Sequence, residues 1–146
     1  MLVALAVVAL AVAVGLVLRR RQTVQAPTQA HYEVPAQLDR ADFAATAPWL
    51  VAVFSSASCT TCADVVRKAK VLETAHVAVV DVEFTANRAL HAKYEIDAVP
   101  IVAIADDRGV VRAGFTGPVS ATDLWAAVAE ARNPGSSPEP ELGRPD

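Results

Sequence analysis

The stretch Trp49-Leu50-Val51-Ala52-Val53-Phe54 is an unbroken apolar run with no polar position to turn toward water. A strand with that pattern has to be buried on both faces. It therefore calls for a sheet with helices packed on either side. The flanking sequence alternates accordingly. Tyr32-Glu33-Val34 is expected as a short edge strand, and Leu38 to Ala45 as a short helix with Asp39 and Asp42 near its start. Cys59 to Leu72 has helical spacing: Val65, Val66, Ala69 and Leu72 are apolar, while Arg67, Lys68 and Lys70 are polar. Val77 to Val82 reads as a second buried strand, and Asn87 to Tyr94 as a short helix. Ile101–Ala105 and Val110–Ala113 flank the turn Asp106-Asp107-Arg108-Gly109, which is a hairpin signal. Ser120 to Arg132 is the last helix, with Ser120 as N-cap and Asp123 three residues on, a variant of the capping box. The expected order is β-α-β-α-β-α-β-β-α, an α/β domain with a mixed sheet flanked by helices over residues 31–132. In such sheets, sites form beyond the carboxyl ends of the parallel strands. The loop after Phe54 falls there.

The termini differ in character. Leu2 to Leu18 lacks any charged or strongly polar residue and is followed by Arg19-Arg20-Arg21. The run is close to the length that spans a bilayer as a helix. A signal peptide would carry its positive charge before the apolar region, the reverse of the order here. Residues 1–18 are thus expected to be a single transmembrane anchor, and residues 19–30 a flexible polar tether. The arginines place the domain on the cytoplasmic side of the cell membrane by the positive-inside rule. The alternative is an extracytoplasmic domain. Residues 133–146 contain Pro134, Pro138, Pro140 and Pro145 among Gly and Ser, and are expected to be a disordered tail. The 146-residue chain leaves room for one domain of ordinary size. The excess of Arg over Lys and the abundance of Ala and Val lead to the expectation of a GC-rich, bacterial coding sequence. A net charge of -3, without clustered Lys and Arg on the folded part, does not suggest a nucleic-acid surface.

The chain has two cysteines, Cys59 and Cys62. Closing so short a loop adds little stability, so the pair is not a structural staple. It stands at the start of a helix, where free backbone N–H groups and the helix dipole favour a thiolate. Cys62, one turn on, shares a face with Cys59 and can reach it. Thiol–disulfide exchange needs that arrangement, with one nucleophile and one resolving thiol. Half of a zinc site and two inert core cysteines are the competing readings. Zinc needs two more ligands, and His31, His76 and His91 are not spaced as a pair. No metal is expected. His76 and His91 read as surface residues, and Trp49 and Trp125 as core.

Three features taken together resemble the thioredoxin superfamily across roughly residues 31–132. They are the Phe54-x-x-x-x-Cys59-x-x-Cys62 unit, the Tyr94-x-Ile96-x-x-Val99-Pro100 segment, and Gly117 after the hairpin. The resemblance implies that the Val99–Pro100 bond is cis and packs against the cysteine pair. It also implies that Val99 offers its backbone to an extended substrate and that Gly117 borders the same groove. Ser58, just before the motif, is a further substrate-side candidate. The sequence departs from the family in having Ser58 where Trp is usual, Thr60-Thr61 where Gly-Pro is usual, and Val53 where a buried Asp often stands. Asp81, on the next strand, is a candidate replacement for that carboxylate as proton acceptor for Cys62; the plainer reading is a solvated strand-end residue.

These residues lead to one expected function, thiol–disulfide exchange with protein thiols and disulfides near the membrane. Cys59 attacks, Cys62 resolves, Pro100 shapes the site, and no bound cofactor is needed. The electron donor is not named by the sequence. Two other readings are a thioredoxin-like binding module that docks a membrane partner, and a thiol carrier for persulfide or peroxide chemistry.

Overall fold

The computed structural model describes residues 33–136 and residue 143; the expected anchor, the tether and most of the tail lie outside them. A 3-10 turn at Arg40–Asp42 precedes β1 (Trp49–Ser55), α1 (Thr60–Lys70), β2 (Val77–Glu83), α2 (Arg88–Lys93), β3 (Ile101–Ala105), β4 (Val111–Thr116) and α3 (Ala121–Arg132). The sheet order is β2-β1-β3-β4. β1 runs parallel to β2, in register from Trp49↔Val77 to Ser55↔Glu83. It runs antiparallel to β3, from Leu50↔Ala105 to Phe54↔Ile101. β3 and β4 form the hairpin read from the sequence.

The apolar run is explained by two cores. Val51 and Val53 face α1 and α3, packing with Val65, Ala69, Leu124 and Val128. Leu50, Ala52 and Phe54 face the other way, toward α2 and the N-terminal segment, among Leu38, Phe43 and Ile96. Alternate residues of a strand point to opposite faces, so a central strand covered on both sides has no position for a polar residue.

The N-terminal part differs from expectation. Glu33 and Val34 do not pair as a strand. Pro35 follows at once and lacks an amide donor for a ladder. The chain instead runs past the hairpin turn, where Leu38 N–H donates to Gly109 C=O at 2.8 Å and Val111 N–H to Ala36 C=O at 3.0 Å. The approach is so close that a Cβ on Gly109, which has φ +79°, would sit 1.9 Å from the Leu38 oxygen. The helix expected over 38–45 shrinks to the single 3-10 turn. Leu38 and Phe43 both turn into the core, and side-chain bonds to α2 take the place of further helical turns. Tyr94 Oη accepts from Asp39 N–H at 2.9 Å and donates to Asp42, while Lys93 reaches Asp42 at 2.7 Å.

Three aromatic residues are also placed differently. His91 is 2% exposed rather than on the surface. Its Nε2 donates to Val82 C=O at 2.7 Å, and its ring lies edge-on to Phe54 and Phe84. The one α-helix on this face among the described residues is the short α2, and beside it the half-polar ring fills part of the cover over Phe54. Trp49 is half-buried at the start of β1. Trp125 is 41% exposed, its indole N–H donating to Lys68 C=O at 3.2 Å in the last turns of α1. Ser120 caps α3 as read from the sequence, its hydroxyl accepting from Asp123 N–H.

Asp106 closes the hairpin. Its Oδ1 accepts from Arg108 and Val110 N–H, both at 3.0 Å, and its Oδ2 takes both Nε and Nη2 of Arg112. Burial pushes the carboxyl up, but Arg112 and the two amides outweigh it and hold Asp106 below the usual carboxylate range. A carboxylate depressed in the folded state contributes stability above its unfolded pKa, and loses it as pH falls through the folded value. Asp106→Asn should therefore cost about 1–3 kcal/mol at neutral pH, the range for charge-assisted hydrogen bonds. The cost should shrink below about pH 4; urea midpoints measured from pH 7 to pH 3 check both parts.

Candidate functional site: the Cys59–Cys62 pair

The register places the site. Ile101 pairs with Phe54 on one side and Thr116 on the other, so Ser55, Pro100 and Gly117 meet at one end of the sheet. The chain leaves β1 at Ser55 through the uncharged loop Ser56-Ala57-Ser58. Cys59 N–H donates to Ser56 C=O at 3.0 Å, and the Ser56 and Ser58 hydroxyls pair at 3.0 Å.

Cys59 is the N-cap of α1. Its backbone is extended (φ -94°, ψ 110°), and its Sγ accepts from Cys62 N–H at 3.2 Å. Thr61 Oγ1 lies 3.4 Å from the same sulfur. A sulfur at that position meets amide and hydroxyl donors together with the positive end of the helix dipole, and all three favour the thiolate. Cys59 and Cys62 are joined as a disulfide with Cα atoms 5.3 Å apart. Their surroundings are unequal. Cys62 is 1% exposed, whereas Cys59 is half-buried at the surface.

The Val99–Pro100 peptide bond is cis. Val99 C=O lies 3.9 Å from Cys59 Sγ, and Pro100 C=O accepts from Gly117 N–H at 2.8 Å. Gly117 has φ +79°, which a side chain tolerates poorly, and no atom lies within 4 Å of where its Cβ would be. Cys59, Val99, Pro100 and Gly117 thus share one end of the sheet, with open space beside the glycine. Ser58 is exposed next to Cys59.

Asp81 lies opposite Val53 in register, on the face toward α1. It is exposed, and the buried hydroxyl of Ser55 donates to its Oδ1. Neither cysteine is bonded to it.

Sequence reasoning passed over Glu83. Its carboxylate accepts from Ala57 N–H at 3.2 Å and Ala86 N–H at 3.0 Å. The Thr85 and Ala86 amides lead in holding this carboxyl below its ordinary range, with Ala57 adding to them. The available signal was an acidic residue ending an apolar strand beside the motif-bearing strand. Thr61 was also passed over; a hydroxyl two residues after a helix-capping cysteine was its signal.

No family model matches the chain, and no curated protein matches it. Solved structures do. A thioredoxin mutant from Halobacterium salinarum aligns at 21% identity with a TM-score of 0.52, covering 58% of this chain and 75% of that one. A thioredoxin from Fasciola hepatica aligns at 25% identity with a TM-score of 0.50, covering 57% and 80%. A thioredoxin-fold protein from Helicobacter pylori aligns at 14% identity with a TM-score of 0.50, covering 63% and 81%. The domain has a thioredoxin fold. Within it, a cysteine pair at bonding distance sits on a helix N-terminus, with one sulfur accessible and the other enclosed.

The capping role of Cys59 has a measurable consequence of its own. A Ser at this position still accepts from Cys62 N–H, whereas Ala leaves that donor without its cap. With reductant present, Cys59→Ser should be more stable than Cys59→Ala by about 0.5–2 kcal/mol. Denaturant titration of the two variants measures the difference; equal midpoints would mean that the sulfur contributes no cap.

Proposed function

We propose that this protein is a membrane-tethered thiol–disulfide oxidoreductase acting on protein disulfides and thiols near the bilayer. The observation that carries the reading is the unequal burial of Cys59 and Cys62 on one helix N-terminus. An exchange enzyme needs an exposed attacking thiolate and a second thiol shielded from competing substrates.

The exchange balances in two steps. Reduced Cys59, as thiolate, attacks one sulfur of a substrate disulfide; the Cys59–substrate bond forms, the substrate S–S bond breaks, and the leaving thiolate takes up a proton. Cys62 then loses its proton and attacks Cys59 Sγ. The Cys59–Cys62 bond forms, the substrate leaves as its second thiol, and two electrons have passed to it. The Val99 backbone lies beside Cys59 Sγ, which suits pairing with an extended substrate segment. Gly117 leaves room for that segment, and Ser58 borders it. Asp81, directly or through one water, is our candidate for receiving the Cys62 proton.

The test is stopped-flow mixing of the reduced domain with a small disulfide-bonded protein. Cys59→Ser should show no exchange. Cys62→Ser should attack and stop as a mixed disulfide. Asp81→Asn should attack at nearly the wild-type rate and release about 10–100-fold more slowly, the low end of general-base effects. Trapping through Cys62 instead of Cys59 would reverse the roles. Absence of any exchange would favour a binding module.

The membrane part of the reading rests on the apolar run Leu2–Leu18 followed by Arg19-Arg20-Arg21. In intact cells holding the full chain, a membrane-impermeant maleimide should not label Cys59 after reduction by a permeant phosphine. Labelling should appear once the membrane is opened. Labelling of intact cells would put the domain on the outer side.

A further inference from the structure

Glu83 is the last residue of β2, directly opposite Ser55 at the end of β1. From there its side chain reaches out of the sheet, not into a core. One oxygen accepts from Ala57 N–H, in the loop that delivers Cys59, and the other from Ala86 N–H, in the loop that leads into α2. Its own C=O accepts from Asn87 N–H at 2.9 Å and from the Asn87 side-chain amide at 3.2 Å. One residue therefore ties both loops at this edge of the site to the sheet.

The other bonds that hold the Ser56–Ser58 loop are local. They run from Cys59 N–H to Ser56 C=O, from Ser58 N–H to Ser56 Oγ, and between the two serine hydroxyls. Among the described residues, the Glu83 carboxylate supplies the long-range side-chain anchor of that loop. The partners it meets are neutral donors, and they keep it ionised.

We infer that Glu83 is a positioning residue for Cys59: its carboxylate anchors the loop before the nucleophile by accepting from Ala57 N–H, two residues before Cys59, and its charge there holds back thiolate formation. This deepens the exchange reading given above and rests on it for its significance. The two parts act differently. The anchor requires the length of the side chain, since one carboxylate spans two loops. The charge acts through space, and it opposes the donors at the helix N-terminus. Its effect differs between redox states, because only the reduced state adds a second negative charge nearby. Other charged groups at this edge are Asp81, held by Ser55, and Arg88 at the start of α2.

Two substitutions separate these parts. Glu83→Gln keeps the length, removes the charge and retains one acceptor oxygen, enough to keep the Ala57 bond while that of Ala86 is given up. Glu83→Asp keeps the charge and shortens the reach. The readouts are taken on the protein's own cysteines, so they hold whether or not any protein substrate is reduced. In the full chain, reduced and held in detergent at pH 7, Glu83→Gln should react with neutral iodoacetamide about 2–5-fold faster at Cys59. This is the size expected of one unit charge near a protein surface. Glu83→Asp should react within twofold of the wild type, while the Ala57 amide exchanges with solvent deuterium at least about tenfold faster. Equal or slower alkylation of Glu83→Gln would overturn the charge part, and unchanged Ala57 exchange in Glu83→Asp would overturn the anchor. Should Glu83→Gln not fold, raising salt on the wild type from 0.05 to 1 M, which screens the charge, should speed alkylation, and a fall in rate would overturn the inference. Normal cysteine behaviour in all these measurements, with no reduction of any protein disulfide, would count against the exchange reading and leave the Glu83 inference to be judged on its own results.

Discussion

The structure depends on β1, a strand with no exposed face. Leu50, Val51, Ala52, Val53 and Phe54 are all fully buried, and each large side chain among them contributes about 1.5–3 kcal/mol by leaving water. Against a net stability of about 5–15 kcal/mol for a domain, no arrangement that leaves one face of this strand wet is competitive. Burying both faces needs two layers of cover. α1 and α3 supply one, and α2 with the folded-back N-terminal segment supplies the other. The same strand fixes the location of the chemistry. Its parallel neighbour requires a crossover, the crossover helix has to begin just beyond the carboxyl end of β1, and Cys59 stands at that helix start.

The consequences for the two sulfurs follow from helix geometry alone. The cap position lies just outside the helix and is partly open to solvent, whereas the residue three further on lies in the first turn against the sheet. Cys59 takes the first place and Cys62 the second. The groups that stabilise a thiolate at Cys59 are contact donors, namely the Cys62 amide and the Thr61 hydroxyl, with the helix dipole behind them. No Lys, Arg or His bonds to either sulfur among the described residues. The chemistry at this site is therefore governed by short-range hydrogen bonds and the amide dipoles, and is correspondingly sensitive to how well the preceding loop is held.

Much of this was legible in the sequence, because the signals were strong and local. The apolar run, the helical spacing after Cys59, the Asp106–Gly109 turn and the Ser120 cap each appear where read, with bounds shifted by a residue or two. The N-terminal segment was not legible. A pattern of Leu38, Phe43 and two aspartates suits a helix, but what fixes that segment is non-local: Tyr94 and Lys93, more than fifty residues on, bind Asp39 and Asp42. His91 was misplaced for a similar reason. A lone histidine on a short helix gives no sign of burial, and its burial comes from the thin cover on that face and from the Val82 carbonyl. In the site, the cysteines and the Val99-Pro100 segment are marked by spacing. Glu83 is marked only by its place at the end of an apolar strand, since its partners are backbone amides that any sequence carries.

The two carboxylates of β2 show how the end of a strand that lies at the sheet's edge among the described residues becomes part of a site. Asp81 and Glu83 point to the same face two residues apart, where an apolar pattern would place Val. Charged residues there discourage pairing with a foreign strand, and that need alone would account for their presence. It does not account for their partners. Asp81 takes the hydroxyl of Ser55, and Glu83 takes the amides of the two loops. The Ser55 bond ties the edge strand to the last residue of β1, the Ala57 bond ties it to the loop before Cys59, and the Ala86 bond ties it to the loop before α2. A carboxylate bonded to the loop before a thiolate is electrostatically unfavourable, and an edge protected by lysine would have avoided that conflict. Lysine, however, only donates hydrogen bonds, and the loop to be held presents amide N–H groups and a hydroxyl proton. Only an acceptor can bind them, and among long ionised side chains only a carboxylate is one. The negative charge beside Cys59 is therefore the electrostatic cost of fixing that loop through its donors.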